Sequence, residues 1–344
     1  MNAAGSVWQR RAARLAGACP LDRLHPAVRS AAARLRGPWV VAFSGGADSL
    51  ALLLLVWAHF PEARPRLHAV HFNHRLRGAA ADRDEAFCRR VGAALGVRLH
   101  VGRRRQTQVL RSETAAREAR FAYFDRVLAR LGAKALWLGH QQNDVAESLL
   151  LRLARGSGTG GLAAPRPVQP MRGGRVHLRP LLDLPHAGLE AWLRAARISW
   201  REDATNATGD HFRNRLRREV IPAWAQAADR DVLAGAARSR ELLAEDDAAL
   251  ESWADSAAGR VPPRRLELAR LQGLPLAVVR RVVQRWLLRL PGRPDLSRQA
   301  VAALLAAVHA GRATRQSLGA AGFAVIKGGV LHVQRPRTRR RKIA

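Results

Sequence analysis

Residues 39–58, WVVAFSGGADSLALLLLVWA, pass from a β-branched and aromatic run through two glycines into a leucine-rich stretch. Trp39–Phe43 reads as a buried strand and Ala47 to about His59 as the helix that follows it. The glycines therefore stand where strand hands over to helix. Glycine lets a backbone approach an anion closely, and a helix N-terminus presents unpaired N–H groups to it. Ser44 and Ser49 add hydroxyl donors. Asp48 would repel a phosphate unless a divalent cation lay between them, which implies Mg2+. The lysine of an ordinary phosphate-binding loop is missing. On the residue pattern alone, a glycine turn capped by serine and aspartate is an equal reading.

The pattern then repeats. Leu67–Phe72, Val97–Val101 and Ala135–Leu138 read as further strands, with helices at Ala80–Leu95, about Ser112–Leu131 and Asn143–Ala154 between and after them. This βαβα alternation predicts a doubly wound α/β fold with a parallel sheet. Ligands in such sheets bind beyond the carboxyl ends of the strands. The Gly- and Pro-rich stretch 156–174 is expected to be a mobile loop, followed by a short strand into RPLLDL and the helix Pro185–Arg197. From about Gln226 the character changes to Ala/Leu/Arg helices at 231–258, 275–290 and 296–309, and FAVIKGGVLHVQ carries a hairpin signal at Gly328-Gly329. The expected division is an N-terminal extension at 1–37, a catalytic domain at 38–225, a mainly helical C-terminal domain at 226–334 and a basic tail at 335–344.

The 344 residues include 59 Lys+Arg against 27 Asp+Glu, a formal charge of +32. Such a surplus points to a polyanionic partner, above all nucleic acid. The two cysteines, Cys19 and Cys88, form no CxxC or zinc spacing, which fits a reducing cytoplasmic setting. The longest apolar run, Leu50–Ala58, is too short to span a bilayer, so no membrane role is expected. The first residues are basic but lack an apolar signal core.

SGGADS resembles the signature of the PP-loop, or N-type, ATP pyrophosphatases. The resemblance implies a HUP-like domain that binds ATP with Mg2+ and cleaves it between the α and β phosphates. Ser44, Gly45, Gly46, Ala47, Asp48 and Ser49 would then cradle the departing pyrophosphate, with Asp48 on the metal. Four further segments resemble the tRNA(Ile)-lysidine synthetases: VHFNHRLR (70–77), ETAAREARFAYF (113–124), GHQQNDVAESLLLRLARGSGTGGL (139–162) and EDATNATGDHFRNRLRREVIP (202–222). The likeness runs in order over residues 38–222. Phe121 stands where the family usually has Tyr, Ser148 where it has Thr, and Asn143 where it has the first Asp of a pair, which keeps hydrogen bonding but removes a charge.

That family adenylates the C2 oxygen of the wobble cytidine in a CAU anticodon, and the ε-amine of free lysine then displaces AMP. The resemblance implies that Asp144 and Glu147, at i and i+3 on one helix, hold the lysine, with His140 bordering their pocket. Arg117 and Arg120 are expected at the α phosphate or the flipped cytidine. His71 and Asn73 are expected at the nucleotide, and His74 and Arg77 at the nucleotide pocket or the tRNA. Arg213, Arg215, Arg217 and Arg218 would contact tRNA phosphates, Arg213 and Arg215 lying also near the chemistry. The C-terminal domain would hold the tRNA body; nothing after the hairpin but the tail implies that the extra domain of longer members is missing. A second copy of the chain as partner is left open. The competing readings are a PP-loop tRNA thiolase, which two isolated cysteines disfavour, and a catalytically inactive tRNA-binding homologue, which Asn143 motivates and the intact loop opposes.

Overall fold

A computed structural model describes residues 3–104, 113–202, 212–259, 265–290 and 296–334. The basic tail and residues 203–211 of the fourth motif lie outside the described residues. The chain divides into two compact units, Met1–Ala244 and Glu245–Ala344, the division falling inside the helix Val232–Ala258.

The first unit is built on a six-stranded sheet. Its strands are β1 (Trp39–Ala42), β2 (Leu67–Asn73), β3 (Arg98–Arg103), β4 (Ala135–Trp137), β5 (Val168–Met171) and β6 (Arg175–Leu178), in the order β3-β2-β1-β4-β6-β5. All pairings are parallel except β5 with β6. Strand order reverses between β1 and β4, because β2 and β3 extend the sheet on one side and β4 on the other. A crevice therefore opens at the carboxyl ends of β1 and β4, the place where such sheets bind ligands.

The helix Ala47–His59 runs through the core: Leu50, Ala51 and Leu52 to Val56 are fully buried. An all-apolar helix has no face for solvent, so it must be covered on every side. Part of that cover comes from the N-terminal residues expected as an extension. The helix Ala3–Ala18 spaces Trp8, Ala12 and Leu15 at helical intervals, Cys19 follows its end, and Ala12, Leu15 and Cys19 are fully buried in the same core cluster. Burying a Leu-sized side chain stabilises by about 2 kcal/mol, so this segment is part of the domain. Trp39 on β1 packs on Trp137 on β4, ring centroids 4.8 Å apart.

The stretch 156–174, expected as a loop, instead contains a short helix, Thr159–Leu162, and β5, which pairs antiparallel with β6 at the sheet edge. Pro170 sits in that edge strand, where a missing N–H is tolerated.

The second unit packs the helices Leu276–Arg289 and Arg298–His309 with a four-stranded antiparallel sheet. Its strands are β7 (Arg265–Glu267), β8 (Thr314–Ser317), β9 (Phe323–Lys327) and β10 (Val330–Gln334), in the order β7-β10-β9-β8. The hairpin turns at Gly328 and Gly329, with φ values of 56° and 73°, in the left-handed region that glycine adopts without penalty. Val278, Val279, Val282 and Val283 of the first helix are buried in one core cluster with Leu266 and Leu331 of the sheet.

Candidate active site

Between β1 and its helix, Gly45 has φ 92°, and a Cβ there would lie 3.2 Å from Cys88 Sγ and 3.3 Å from Phe87. No other residue fits this turn without strain. Gly46 caps the helix Ala47–His59. The Ser44 and Ser49 hydroxyls lie 2.9 Å apart, Ser44 N–H donates to Ser49 Oγ at 3.1 Å, and Ser49 Oγ donates to the Gly46 carbonyl at 3.1 Å. The loop is thus held open by its own serines around a helix N-terminus, a geometry that suits a phosphate. Across the crevice, Gly139 follows β4, and a Cβ on it would meet the Asp48 carbonyl at 3.0 Å. The two loops touch because this position has no side chain.

A cavity of about 1040 Å3 opens at this edge of the sheet. Of the residues singled out in the sequence, Ser44, Gly46, Ala47, Asp48 and Ser49 line it from the loop. His71, Asn73, His74 and Arg77 line it from the end of β2, Arg117 and Arg120 from the helix Glu113–Leu131, and His140 and Asp144 from beyond β4. Arg213 and Arg217 line it from the far end of the unit's sequence. Arg215 and Arg218 are exposed and are not part of the lining; Arg215 lies 5.9 Å above the Phe212 ring.

Beyond β4 the helix Gln142–Leu153 begins with reciprocal caps. Gln141 Oε1 accepts from Asn143 N–H at 2.5 Å, and Gln141 N–H donates to Asp144 Oδ2 at 3.0 Å. Asp144 Oδ1 accepts from the Arg213 guanidinium at 2.7 Å. Glu147, one turn on, is fully buried, and both of its oxygens are taken: Oε2 by Arg213 Nε and Oε1 by Arg217 Nε, each at 2.6 Å. A charge buried this deeply requires such partners. The two arginines come from a helical run, Phe212–Ala227, which contains a wider π-turn at Leu216–Val220.

His140 accepts a hydrogen bond from Arg179 Nε on Nδ1 at 3.2 Å. Arginine can only donate, so the neutral ring carries its proton on Nε2. Burial, then Arg179, Arg117, Arg213 and Arg120 around it, hold the imidazole pKa well below its ordinary value. His140 is thus a neutral donor rather than a base. Arg179 itself is buried, with its pKa brought down to about 10 by burial and then by Arg117. Arg117 and Arg120 flank Phe121, their guanidinium carbons 4.8 and 5.7 Å from the ring centre. These arginines make this part of the wall suited to an anion.

On β2, His71 Nδ1 donates to the Phe43 carbonyl at 2.9 Å, and burial lowers its pKa. His74 is pushed down to about 4 by burial and then by Arg120. Among the described residues no cluster of three or more His, Cys, Asp or Glu side chains is placed to hold a metal ion. Asn73 uses its amide within the protein, donating to Asp82 at 3.0 Å and Glu85 at 3.2 Å and accepting from Arg75 N–H at 2.8 Å. Arg77 donates to the buried Asp84 at 2.8 Å, and Arg201 holds the other oxygen of Asp84 at 2.7 Å. Arg201 also donates its backbone N–H to the Gly45 carbonyl at 2.9 Å, tying the loop to this acid.

Three contributors were not singled out in the sequence. His186 Nδ1 lies 2.8 Å from Asp48 Oδ1, its Nε2 lies 3.3 Å from Glu190, and its backbone N–H donates to Asn143 Oδ1 at 3.2 Å. The hydrogen bond to Asp48 raises the His186 pKa. His186 therefore joins the phosphate loop to the position where asparagine replaces an acid. Arg179 follows β6 directly, at the same carboxyl edge as the other motifs, and that placement was the available signal. Arg201 had none, standing among 59 basic residues.

The family model of the PP-loop domain matches residues 25–224. A tRNA(Ile)-lysidine synthase of Geobacter sulfurreducens is 39% identical over 227 residues, covering 64% of this chain and 47% of the relative. One from Pseudomonas aeruginosa is 40% identical over 280 residues, 76% of this chain and 61% of the relative. One from Salinispora arenicola is 37% identical over 299 residues, 84% of this chain and 88% of the relative. The chain thus spans about half the length of the first of these relatives and most of the last. Among solved structures, a U34-tRNA thiolase of Methanococcus maripaludis superposes with a TM-score of 0.50 at 15% identity, over 68% of this chain and 78% of that one. At that identity the likeness concerns the fold alone. No helix among the described residues is long and apolar enough to cross a membrane.

Proposed function

The chain belongs to the PP-loop family and, within it, to the tRNA(Ile)-lysidine synthases, and from that premise we propose that it converts the wobble cytidine of a CAU-anticodon tRNA(Ile) to lysidine, using ATP and free L-lysine. The observation that carries this reading is the convergence of three chemistries at one cavity: a phosphate loop at Ser44–Ser49, an anion-binding wall at Arg117 and Arg120, and the carboxylate of Asp144, with Glu147 buried behind it and tied to it through Arg213.

The loop takes the β and γ phosphates, which leaves the α phosphorus facing the wall. The C2 oxygen of the cytidine attacks that phosphorus and pyrophosphate leaves. Arg117 and Arg120 stabilise the charge that develops there, and His140 adds a neutral N–H donor. The base has to be extruded from the anticodon loop to reach the cavity, as single-stranded bases allow. The lysine amine then attacks C2, AMP departs with the former C2 oxygen, and the amine proton passes to a carboxylate, of which Asp144 is the one that lines the cavity. Asp48, a carboxylate at the phosphate loop, is the residue that would hold Mg2+, which would neutralise charge on the leaving pyrophosphate. Arg215 and Arg218 are exposed and suit tRNA phosphates, and the C-terminal unit would hold the tRNA body. A cytoplasmic setting follows from the substrate.

Sulfur transfer finds no support in this site. Neither Cys19 nor Cys88 lines the cavity, both are fully buried, and burial raises both thiol pKa values, that of Cys19 to about 11. The test is direct. Purified protein is incubated with ATP, labelled lysine and unmodified CAU-anticodon tRNA, and the nucleosides are analysed. Lysine on the wobble cytidine with stoichiometric pyrophosphate supports the reading; tRNA binding without turnover refutes it.

A further inference from the structure

The acids assigned to the lysine are already holding cations. Arg213 bridges Asp144 and Glu147 at 2.7 and 2.6 Å, and Arg217 takes the remaining oxygen of Glu147 at 2.6 Å. Glu147 is fully buried beneath them, so an ammonium group reaches it only if a guanidinium leaves. The exchange is chemically balanced. An unpaired buried carboxylate is strongly unfavourable, and swapping guanidinium for ammonium keeps the acid paired throughout. The displaced arginines need not remain without partners. The Arg217 side chain is 42% exposed and Arg213 is 25% exposed. Both line the cavity with the phosphate loop and lie within four residues of each other on one helical run. A polyanion entering that cavity offers both a new counter-charge.

Resting on the lysidine reading, we propose that Arg213 and Arg217 are place-holders for the substrate ammonium and so determine the order of binding. Paired in this way, they close the lysine site. Nucleotide and tRNA phosphates draw them off, and only then does the amine bind tightly. Lysine, free in the cell, is thereby kept from an enzyme that has no activated cytidine to offer it. Selectivity follows from the same contact: an amine lacking a full positive charge cannot replace a guanidinium on Glu147.

By linkage, a partner that removes the place-holders strengthens lysine binding, and lysine strengthens that partner's binding by the same factor. The experiment is calorimetric titration of the full chain with L-lysine, alone and with a non-hydrolysable ATP analogue plus unmodified CAU-anticodon tRNA. Lysine affinity is expected to rise about tenfold or more in the ternary complex, within the usual range of such coupling. Arg217→Ala, at a half-exposed side chain, should tighten lysine binding to the otherwise ligand-free protein severalfold and shrink the coupling. Arg217→Lys, which keeps a cation on Glu147, should restore it. Equal lysine affinity with and without tRNA overturns the ordering, as does an Arg217→Ala protein that binds lysine more weakly than the wild type. No lysine binding under any condition, while ATP is still cleaved in the presence of tRNA, overturns the lysine reading itself and the ordering with it.

Discussion

Each of the two units carries a cluster of arginines on carboxylates, and the clusters are built differently. In the C-terminal unit, Asp247, Glu251 and Asp255 repeat at four-residue spacing along the helix Val232–Ala258 and face Arg281 and Arg285 on the helix Leu276–Arg289. Arg281 pairs with the buried Asp247 at 2.6 Å, and the outer acids are partly or largely exposed. Two regular rows in register fix how the helices pack, as facing i, i+4 rows do. In the catalytic unit the order is reversed: a fully buried acid, Glu147, is sealed by arginines that keep a quarter to two fifths of their side chains in contact with solvent. The first cluster joins two helices along their length. The second opens on a cavity, and its cations can be exchanged. Identical chemistry thus serves packing in one place and a site in the other, and what separates them is which partner is exposed.

Breaking the site cluster should abolish chemistry with little loss of fold. Asp144→Ala removes the acid that lines the cavity, so lysine transfer should fall by roughly 100-fold or more in a single-turnover assay, while the lost cap lowers stability by about 1 kcal/mol. An unchanged transfer rate would remove Asp144 from the mechanism. The packing cluster should behave in the opposite way. Arg281→Met strips a buried acid of its nearest counter-charge and should destabilise the protein by about 3 kcal/mol, read by chemical denaturation. If Arg217→Ala, which leaves Glu147 paired with Arg213, costs as much in that measurement, the contrast between the clusters fails.

The contrast also shows where sequence reading stops. The phosphate loop was legible because its glycines, serines and acid are contiguous and sit between a strand and a helix. The shared direction of Asp144 and Glu147 was legible from their three-residue spacing. That Arg213 and Arg217 close on them was not, because the contact spans 66 and 70 residues, and in so basic a chain no single arginine stands out. His186 and Arg179 were hidden for a related reason: they flank an ordinary-looking PLLDLP segment, and their roles exist only where β6 lies beside β4. The N-terminal helix was hidden by composition. Its apolar positions have helical spacing, but the basic residues between them leave no continuous apolar run to mark a core element. Edge strand β5 was masked by glycine and proline, which an edge tolerates and a central strand does not.

A third acid lies between these extremes and gives a smaller effect. Glu85 is buried, and hydrogen bonds from Arg103 first, then from Arg89 and Asn73, lower its pKa from 4.5 to about 2. A depressed carboxylate contributes stability that is present above its unfolded-state pKa and is lost as pH falls through the folded one. The contribution should therefore be complete above about pH 4.5 and disappear toward about pH 2. Glu85→Gln should flatten that acid limb in unfolding experiments; an unchanged limb would mean that the arginines at this site are dispensable.

The smallest effect should come from arginine outside every cluster described here. Arg218 is exposed, does not line the cavity and adjoins Arg217 on the same helical run. If the segment meets tRNA, an arginine there acts through counterion release, which is additive and insensitive to the base read. Arg218→Ala should weaken tRNA binding at low salt and reduce the slope of log affinity against log salt by about 0.7–0.9, with lysine affinity unchanged. Arg217→Ala should alter both measurements, because Arg217 touches Glu147 as well as facing the ligand. A lysine affinity that moves equally in the two variants would place the effect in general charge, and the contact with Glu147 would no longer explain why one arginine gates a site while its neighbour only binds.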